Sequence, residues 1–177
     1  MSKGAGAAAR PCPLSTMLVT NPGAPLVDTA RFLDSPPKSR NEALASLMRR
    51  FRICEERGSG VDKVVAQAEA HQLPAPLFEA PNGFTRATLF AERPLGEMER
   101  DDRIRACYLH ACLKYVQRGY LTNASLRERF GIHEKNRAAA SRIIREAIEA
   151  GVVVTHDESA VPKLMKYVPS WASPGRS

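Results

Sequence analysis

The residues with the clearest capacity for chemistry lie in the loop Gly58-Ser59-Gly60, which precedes a predicted helix. The two glycines allow a tight backbone turn, and Ser59 has the side chain to cap a helix that begins near Val61. Unpaired backbone N–H groups and the positive end of the helix dipole then point at one spot, which favours an anion such as a phosphate. The same triplet is also typical of an ordinary capped helix start, so the spacing alone leaves both interpretations open.

Three basic residues around this loop add to the anion-binding hypothesis. Lys38 and Arg40 precede the first predicted helix and Arg57 precedes the loop, and such side chains have the charge to clamp a phosphate. The alternative is that they are exposed or paired with neighbouring carboxylates, which contributes little to stability. Catalysis by paired carboxylates has no support, because Glu55 and Glu56 are adjacent and point in different directions on a helix.

A basic helix in the C-terminal part of the chain is the second candidate site. The pattern predicts a helix that begins at His133 or Glu134 and ends at Ala150, with one apolar side and one basic side. The N-terminal half of the basic side suits a DNA major groove, where arginine pairs with guanine edges and lysine with phosphate. The apolar side is formed by Ala140, Ile143, Ile144 and Ala147. The candidate DNA-binding residues are Lys135, Arg137, Ser141, Arg142, Arg145 and, in a following hairpin, Lys163.

Acidic residues leave a second interpretation of this helix open. Glu134, Glu146 and Glu149 lie on the same face, as they do in an ordinary solvated helix. The predicted hairpin tip, His156-Asp157-Glu158, is also acidic and repels phosphate, although nearby lysines offset it. The order of the surrounding elements favours DNA contact over a solvated face.

Composition and charge restrict the class of protein. The chain has 177 residues, of which 44% are hydrophobic and 25% charged, and its net charge of +7 attracts polyanions. No segment resembles a signal peptide or approaches the length of a membrane span, so a cytoplasmic protein is expected. His110 is expected to be a hydrogen-bonded structural histidine. Four cysteines without a CxxC pair are expected to be reduced thiols rather than metal ligands: Cys12, Cys54, Cys107 and Cys112.

Apolar spacing divides residues 16–93 into strands and helices. Met17-Leu18-Val19 is predicted to be a short buried strand that ends at the turn Asn21-Pro22-Gly23. After a loop with one helical turn near residues 29–33, Asn41 is expected to cap a helix. Residues 84–90 alternate as in a half-buried strand. The apolar residues of the first helix and of the next are expected to face a core: Leu44, Leu47, Met48 and Phe51, then Val61, Val64, Val65 and Ala68.

A second unit is predicted over residues 97–170. An amphipathic helix over residues 97–118 leads to a brief strand. A short helix capped by Thr122 or Asn123 is then joined to the basic helix by a turn at Gly131, and a hairpin follows. Helix, strand, helix, turn, helix and hairpin is the order of a winged helix-turn-helix.

Five motifs occur in an order that resembles one bacterial family. They are Val19-Thr20-Asn21-Pro22-Gly23, Pro37-Lys38-Ser39-Arg40-Asn41, Glu55-Glu56-Arg57-Gly58-Ser59-Gly60, Leu73-Pro74-Ala75-Pro76-Leu77-Phe78 and Phe84-Thr85-Arg86-Ala87-Thr88-Leu89-Phe90. From about Met17 to Phe90, the chain resembles the C-terminal region of bacterial RecG-like, ATP-binding transcriptional regulators. Members of that family often carry a Schlafen AlbA-type domain at the N-terminus and a winged helix at the end. The resemblance of the last part of the chain to a winged helix is generic.

This resemblance implies a histidine-kinase-type ATPase fold with ATP as the ligand. The implied nucleotide-binding candidates are Asn21, Gly23, Lys38, Arg40, Arg57, Gly58, Ser59 and Gly60. The family pattern also has an upstream helix with an Asn and a His-Arg-Asp-like segment, which supply magnesium and catalytic contacts, and residues 1–15 contain neither. Because phosphoryl transfer needs a metal and an oriented nucleophile, we expect no ATPase or helicase activity, no catalytic residue and no metal site.

The sequence therefore predicts an α+β protein with three parts. Residues 1–15 are a disordered tail, and residues 16–93 are a truncated, partial histidine-kinase-type ATPase-like α/β remnant. Residues 97–170 are a winged helix-turn-helix domain. The predicted function is a bacterial DNA-binding transcriptional regulator that binds double-stranded DNA and no membrane. The alternatives are a nucleotide-binding module and a protein-interaction module without direct DNA binding, in which a second copy or another protein covers the truncated domain.

Overall fold

The first group of elements combines a small sheet with two helices. The computed structural model describes residues 16–53, 59–157 and 164–173, so the predicted tail over residues 1–15 lies outside the described residues. The predicted strand over residues 84–90 and the helical turn near residue 29 are both present. The strands are β1 (Thr16–Pro22), β2 (Leu77–Glu79) and β3 (Phe84–Phe90), and the helices are α1 (Glu42–Arg50) and α2 (Gly60–Ala70).

The sheet of this group is antiparallel, with β3 in the middle of the order β1-β3-β2. β1 pairs with β3 along all seven of its residues, with Val19 opposite Ala87. On the other side of β3, Phe78 of β2 lies opposite the same Ala87. Thr88 of β3 is buried, as expected for a central strand that has a neighbour on each side. β1 therefore forms one edge of the sheet.

β1 and α1 are more exposed than their sequences predict. The expectation of a buried strand is wrong, because Met17, Leu18 and Val19 are 61%, 58% and 41% exposed. The expectation of a core face on α1 is also wrong, because none of its residues is buried. Asn41 caps the N-terminus of α1, as predicted, because its Oδ1 accepts a hydrogen bond from the backbone N–H of Leu44 at 2.9 Å. Apolar spacing shows which residues share a face, but a face is buried only where another element covers it.

The second group is helical and ends in a hairpin. Its central helix, over residues 100–116, confirms the amphipathic helix predicted over residues 97–118 but begins three residues later. It packs against α2, against the helix over residues 137–149 and against the strand over residues 167–169. Within the described ranges, no helix combines the length and apolar composition that crossing a bilayer requires. The elements are α3 (Arg100–Val116), α4 (Asn123–Phe130), α5 (Arg137–Glu149), β4 (Val153–Thr155) and β5 (Tyr167–Pro169).

One hydrophobic core runs through both groups. Val65 of α2 and Ala75 belong to the same buried cluster as Leu109 of α3 and Ile144 of α5. Because burial of apolar surface contributes about 25 cal/mol per Å², each group stabilises the other. The core face predicted for α2 is thus confirmed at Val65.

Two cysteines lie inside this core. Cys107 and Cys112 are free thiols, and burial raises the pKa of each to about 12. Both groups are therefore protonated at neutral pH and unreactive. The other two, Cys12 and Cys54, lie outside the described residues.

A buried polar network, here called the Glu69 network, joins α2, α3 and α4. Glu69 Oε2 lies 2.8 Å from His110 Nδ1, and His110 Nε2 lies 3.1 Å from Ser125 Oγ. The buried guanidinium of Arg129 donates a hydrogen bond to the carbonyl of Leu73 at 2.6 Å and lies 3.8 Å from the Glu69 carboxylate. Burial lowers the pKa of Arg129, and the Glu69 carboxylate opposes that shift. His110 is therefore the hydrogen-bonded structural histidine that the sequence predicts.

α4 and α5 are joined by a tight turn that depends on Gly131. Thr122 caps α4, because its Oγ1 accepts a hydrogen bond from the backbone N–H of Ser125 at 3.1 Å. Gly131 has a φ of 62°, in the left-handed region that favours glycine. The basic helix begins later than predicted, since residues 134–136 form a 3-10 turn and Asn136 has non-helical angles (φ −101°, ψ 21°).

The chain after α5 forms the predicted hairpin. β4 and β5 pair antiparallel, with Val154 opposite Val168. Leu121, in the brief strand predicted before α4, forms a single bridge to Tyr167 of β5. The hairpin therefore packs beside the start of α4, and the order of elements is the predicted one.

Candidate functional site

The exposed side of α5 carries a cluster of cations. The four residues predicted to face the core are at most 3% exposed, which confirms the predicted apolar side. Five of the predicted DNA-binding residues are exposed on the opposite side or in the turn before it, namely Ser141 and four cations. We call the surface formed by the four cations the basic face, and it consists of Lys135, Arg137, Arg142 and Arg145.

Two of the three carboxylates predicted on this side of α5, those of Glu146 and Glu149, form ion pairs with arginines of another helix. Glu146 lies 3.6 Å from the guanidinium of Arg103, and Glu149 lies 3.6 Å from that of Arg100. Both arginines belong to α3, at its N-terminal end. Glu134 remains exposed in the 3-10 turn. Among the described residues, no cation of the basic face forms an ion pair with a carboxylate, so its charge is available to an external anion.

Ser141 has a structural contact that the sequence does not reveal. Asn123 Nδ2 donates hydrogen bonds to Ser141 Oγ at 2.9 Å and to the carbonyl of Arg137 at 3.0 Å. Asn123 Oδ1 in turn accepts a hydrogen bond from Arg127 Nε at 3.1 Å. Asn123 therefore fixes the orientation of α5 relative to α4. The sequence predicts Asn123 only as an alternative cap of α4, because no local pattern indicates a partner on the next helix.

The hairpin brings one further cation near α4. The Lys166 ammonium lies 4.8 Å from the ring of Tyr120, which also packs against His156 with ring centroids 4.6 Å apart. A cation over an aromatic face is stabilised by the negative charge of that face. Lys163, the hairpin residue predicted to contact DNA, lies outside the described residues, as does Glu158 at the acidic tip.

A cleft of about 930 Å³ lies beside the end of β1 and the start of α1. It brings together four of the nucleotide-binding candidates, and its volume falls within the range of small-molecule sites, about 300–1,000 Å³. Val61 of α2 lines the cleft, but Ser59 and Gly60 do not. The four candidates in the lining are Asn21, Gly23, Lys38 and Arg40. Arg57 and Gly58 lie outside the described residues.

Several polar groups of the cleft are occupied by the protein itself. The backbone N–H of Gly23 donates to the carbonyl of Gly83 at 2.8 Å, and the carbonyl of Gly23 accepts from Thr85 Oγ1 at 2.8 Å. The Arg40 guanidinium donates to the carbonyl of Ala24. Gly23 and Arg40 therefore shape the loop, and exposed Lys38 is the candidate most available to an anion.

The expectation that the Ser59 side chain caps α2 is wrong. Ser59 stands at the N-cap position, but its side chain makes no capping hydrogen bond. Its backbone angles, φ −76° and ψ 6°, differ from the extended conformation that capping residues usually adopt. Its carbonyl still accepts the first helical hydrogen bond, from the N–H of Lys63 at 3.0 Å.

One comparison with known protein families matches the first group of elements. Residues 16–89, less than half of the chain, match a family model described as "Putative ATP-dependent DNA helicase recG C-terminal". No curated protein matches the chain. Among solved structures, the DIP2311 protein from Corynebacterium diphtheriae is similar, with a TM-score of 0.39 and 14% sequence identity. The match covers 87% of this chain but only 44% of that protein, so the chain spans less than half of its length.

Proposed function

We propose that the chain is a DNA-binding regulator that contacts double-stranded DNA through the basic face of α5. In this proposal α4, the turn at Gly131 and α5 are the helix-turn-helix of a winged-helix domain over residues 97–170. The observation that carries the proposal is the charge separation on α5. Its arginines are exposed without carboxylate partners among the described residues, whereas Glu146 and Glu149 are paired with α3.

The proposed geometry places α5 in the major groove. The 13 residues of α5 form a helix about 20 Å long. Side chains along a helix of this length reach several successive base pairs in the major groove. Arg137 and Arg142 reach base edges, where a guanidinium pairs with guanine, while Lys135 and Arg145 contact phosphates.

The remaining parts of the C-terminal group have supporting roles in this proposal. The Asn123 bonds to α5 keep the recognition helix at a fixed angle to α4, which lies across the DNA backbone. The hairpin of β4 and β5 is the wing, and Lys166 with Lys163 are its phosphate contacts. The RecG-like match of residues 16–89 supports an association with DNA, because the description of that family names a DNA helicase.

Photo-cross-linking tests which surface meets DNA. With p-benzoylphenylalanine in place of Ala138, the chain is expected to cross-link to a duplex oligonucleotide, because this position is exposed in the middle of the basic face. The matched control carries the same group in place of Phe51, which is 69% exposed in the other group of elements. Equal yields from the two positions, or a yield from position 51 only, would contradict contact through α5.

The cleft supports a second candidate function, nucleotide binding without hydrolysis. Its volume, its Lys38 and the ATPase-type match of the surrounding segment favour a phosphate-bearing ligand. A ligand that binds only the folded chain at 100 times its Kd stabilises that state by about 2.7 kcal/mol. At that saturation ATP is expected to raise Tm by about 5–10 °C for a chain of this size.

The variant Lys38→Ala is expected to remove most of this thermal shift. Arg50→Ala, which removes one exposed cation from the end of α1 outside the cleft, serves as the control and should retain it. If ATP leaves Tm of the wild-type chain unchanged up to millimolar concentration, the cleft does not bind nucleotide. DNA binding by α5 is independent of that outcome.

A further inference from the structure

The outer edge of β1 is available to pair with another strand. One side of β1 pairs with β3 along all seven residues, and no strand within the described ranges pairs with its other side. At about 3.4 Å per residue this edge is about 24 Å long. The unpaired N–H and C=O groups of a sheet edge form hydrogen bonds with any strand that is added there.

β1 lacks the features by which edge strands usually avoid pairing. Such strands carry charged residues, β-bulges or prolines along their length. The segment Thr16–Pro22 has no charged residue, its register with β3 is regular, and its one proline is the last residue. Successive side chains point to opposite faces of the sheet, so the exposed Met17 and Leu18 present apolar surface on both faces.

We propose that this edge pairs with β1 of a second copy of the chain, antiparallel and around a two-fold axis at Val19. In this register Val19 lies opposite the partner's Val19, and Leu18 lies opposite the partner's Thr20. Each pair is neutral, and contacts between β-branched or aliphatic side chains stabilise cross-strand neighbours. The interface is isologous and closes as a two-fold dimer with a continuous six-stranded sheet.

Charge and strand length favour this occupant. The chain has a net charge of +7, so two copies meet with least repulsion through a neutral surface such as β1. The other edge strand, β2, is a poorer partner because it has only three residues and includes the charged Glu79. Pairing of β1 with β2 of another copy would also be head-to-tail and would produce open-ended oligomers instead of a closed dimer. Screening of the repulsion by salt tightens the dimer, whereas salt weakens DNA binding. The dimer is thus separable from the proposed function and does not rest on it.

Cysteine cross-linking at the two-fold axis tests the proposal. Val19→Cys and Met17→Cys are made in the full chain with Cys12→Ser and Cys54→Ser, and both positions are exposed enough to tolerate the change. The two Cα atoms at position 19 are about 4.5–5.5 Å apart in the proposed register, within disulfide reach. Those at position 17 are about 14 Å apart, which is too far. Mild oxidation without DNA is expected to give at least tenfold more covalent dimer from position 19.

Sedimentation velocity supplies the second readout. The wild-type chain is expected to sediment as a dimer that dissociates on dilution and is favoured by salt. Val19→Lys places two like charges at the axis and should raise the dissociation constant at least tenfold. Leu164→Lys adds the same charge at a 67% exposed position in the other group and should not change it. A monomer at every concentration, a species larger than a dimer, or equal cross-linking at positions 17 and 19 would overturn the proposal.

Discussion

Replacing Glu69 with alanine is expected to reduce the free energy of unfolding by about 3 kcal/mol, because it leaves the buried charge of Arg129 without a carboxylate. The Arg129 side chain is only 1% exposed, and its Nε and Nη1 already have no hydrogen-bond partner among the described residues. The same change removes the partner of His110 Nδ1. For a chain of this size the loss corresponds to a fall in Tm of about 6–12 °C, measurable by calorimetry or by urea unfolding.

Two further variants separate charge burial from simple loss of a side chain. Glu128→Ala, on the exposed side of α4, is expected to change stability by less than about 0.5 kcal/mol. Combining Glu69→Ala with Arg129→Leu should recover part of the lost stability, since no charge then remains buried. A Glu69→Ala chain as stable as the wild type would show that the Glu69 network does not hold α2, α3 and α4 together.

The double variant Lys135→Ala with Arg142→Ala is expected to weaken binding to duplex DNA at least tenfold. The loss of the Lys135 phosphate contact reduces the steepness of log K against log salt by about 0.9. Arg142 pairs with a guanine edge in the proposed geometry, so its loss costs about 1–3 kcal/mol and relaxes the sequence preference at that base pair. Both side chains are exposed, so Tm should remain close to the wild-type value.

Arg50→Ala is the matched control for this loss of charge. Arg50 is exposed at the end of α1, so its removal changes the net charge but not the basic face. Binding affinity and salt slope are expected to equal those of the wild type. Unchanged DNA binding in the double variant, or an equal loss in the Arg50 variant, would overturn the assignment of α5 as the recognition helix.

Local signals made the second group predictable from sequence. A glycine at position 131, a capping threonine at position 122 and an apolar stripe on α5 each act within a few residues. The first group was harder, because the burial of β1 and α1 depends on elements that cover them and not on their own spacing. Periodicity alone predicts one continuous helix from residue 133 or 134, whereas residues 134–136 form a 3-10 turn and α5 begins at Arg137.

The candidate sites were predictable only in part, for the same reason. The pairing of Glu146 and Glu149 with α3 changes the charge of the basic face, and those partners are distant in sequence. The bond between Asn123 and Ser141 is also long-range and assigns Ser141 a structural contact. In the cleft, the motif order pointed to Gly23, but the hydrogen bonds that occupy its backbone groups became visible only in the folded chain.

The most direct test of DNA binding is a fluorescence-anisotropy titration of the wild-type chain at about 50 and about 200 mM salt. One duplex carries the sequence upstream of the chain's own coding region, and the other is a random duplex of the same length. We predict binding that weakens with salt and favours the upstream sequence. No binding to either duplex at either salt concentration would contradict the proposed function.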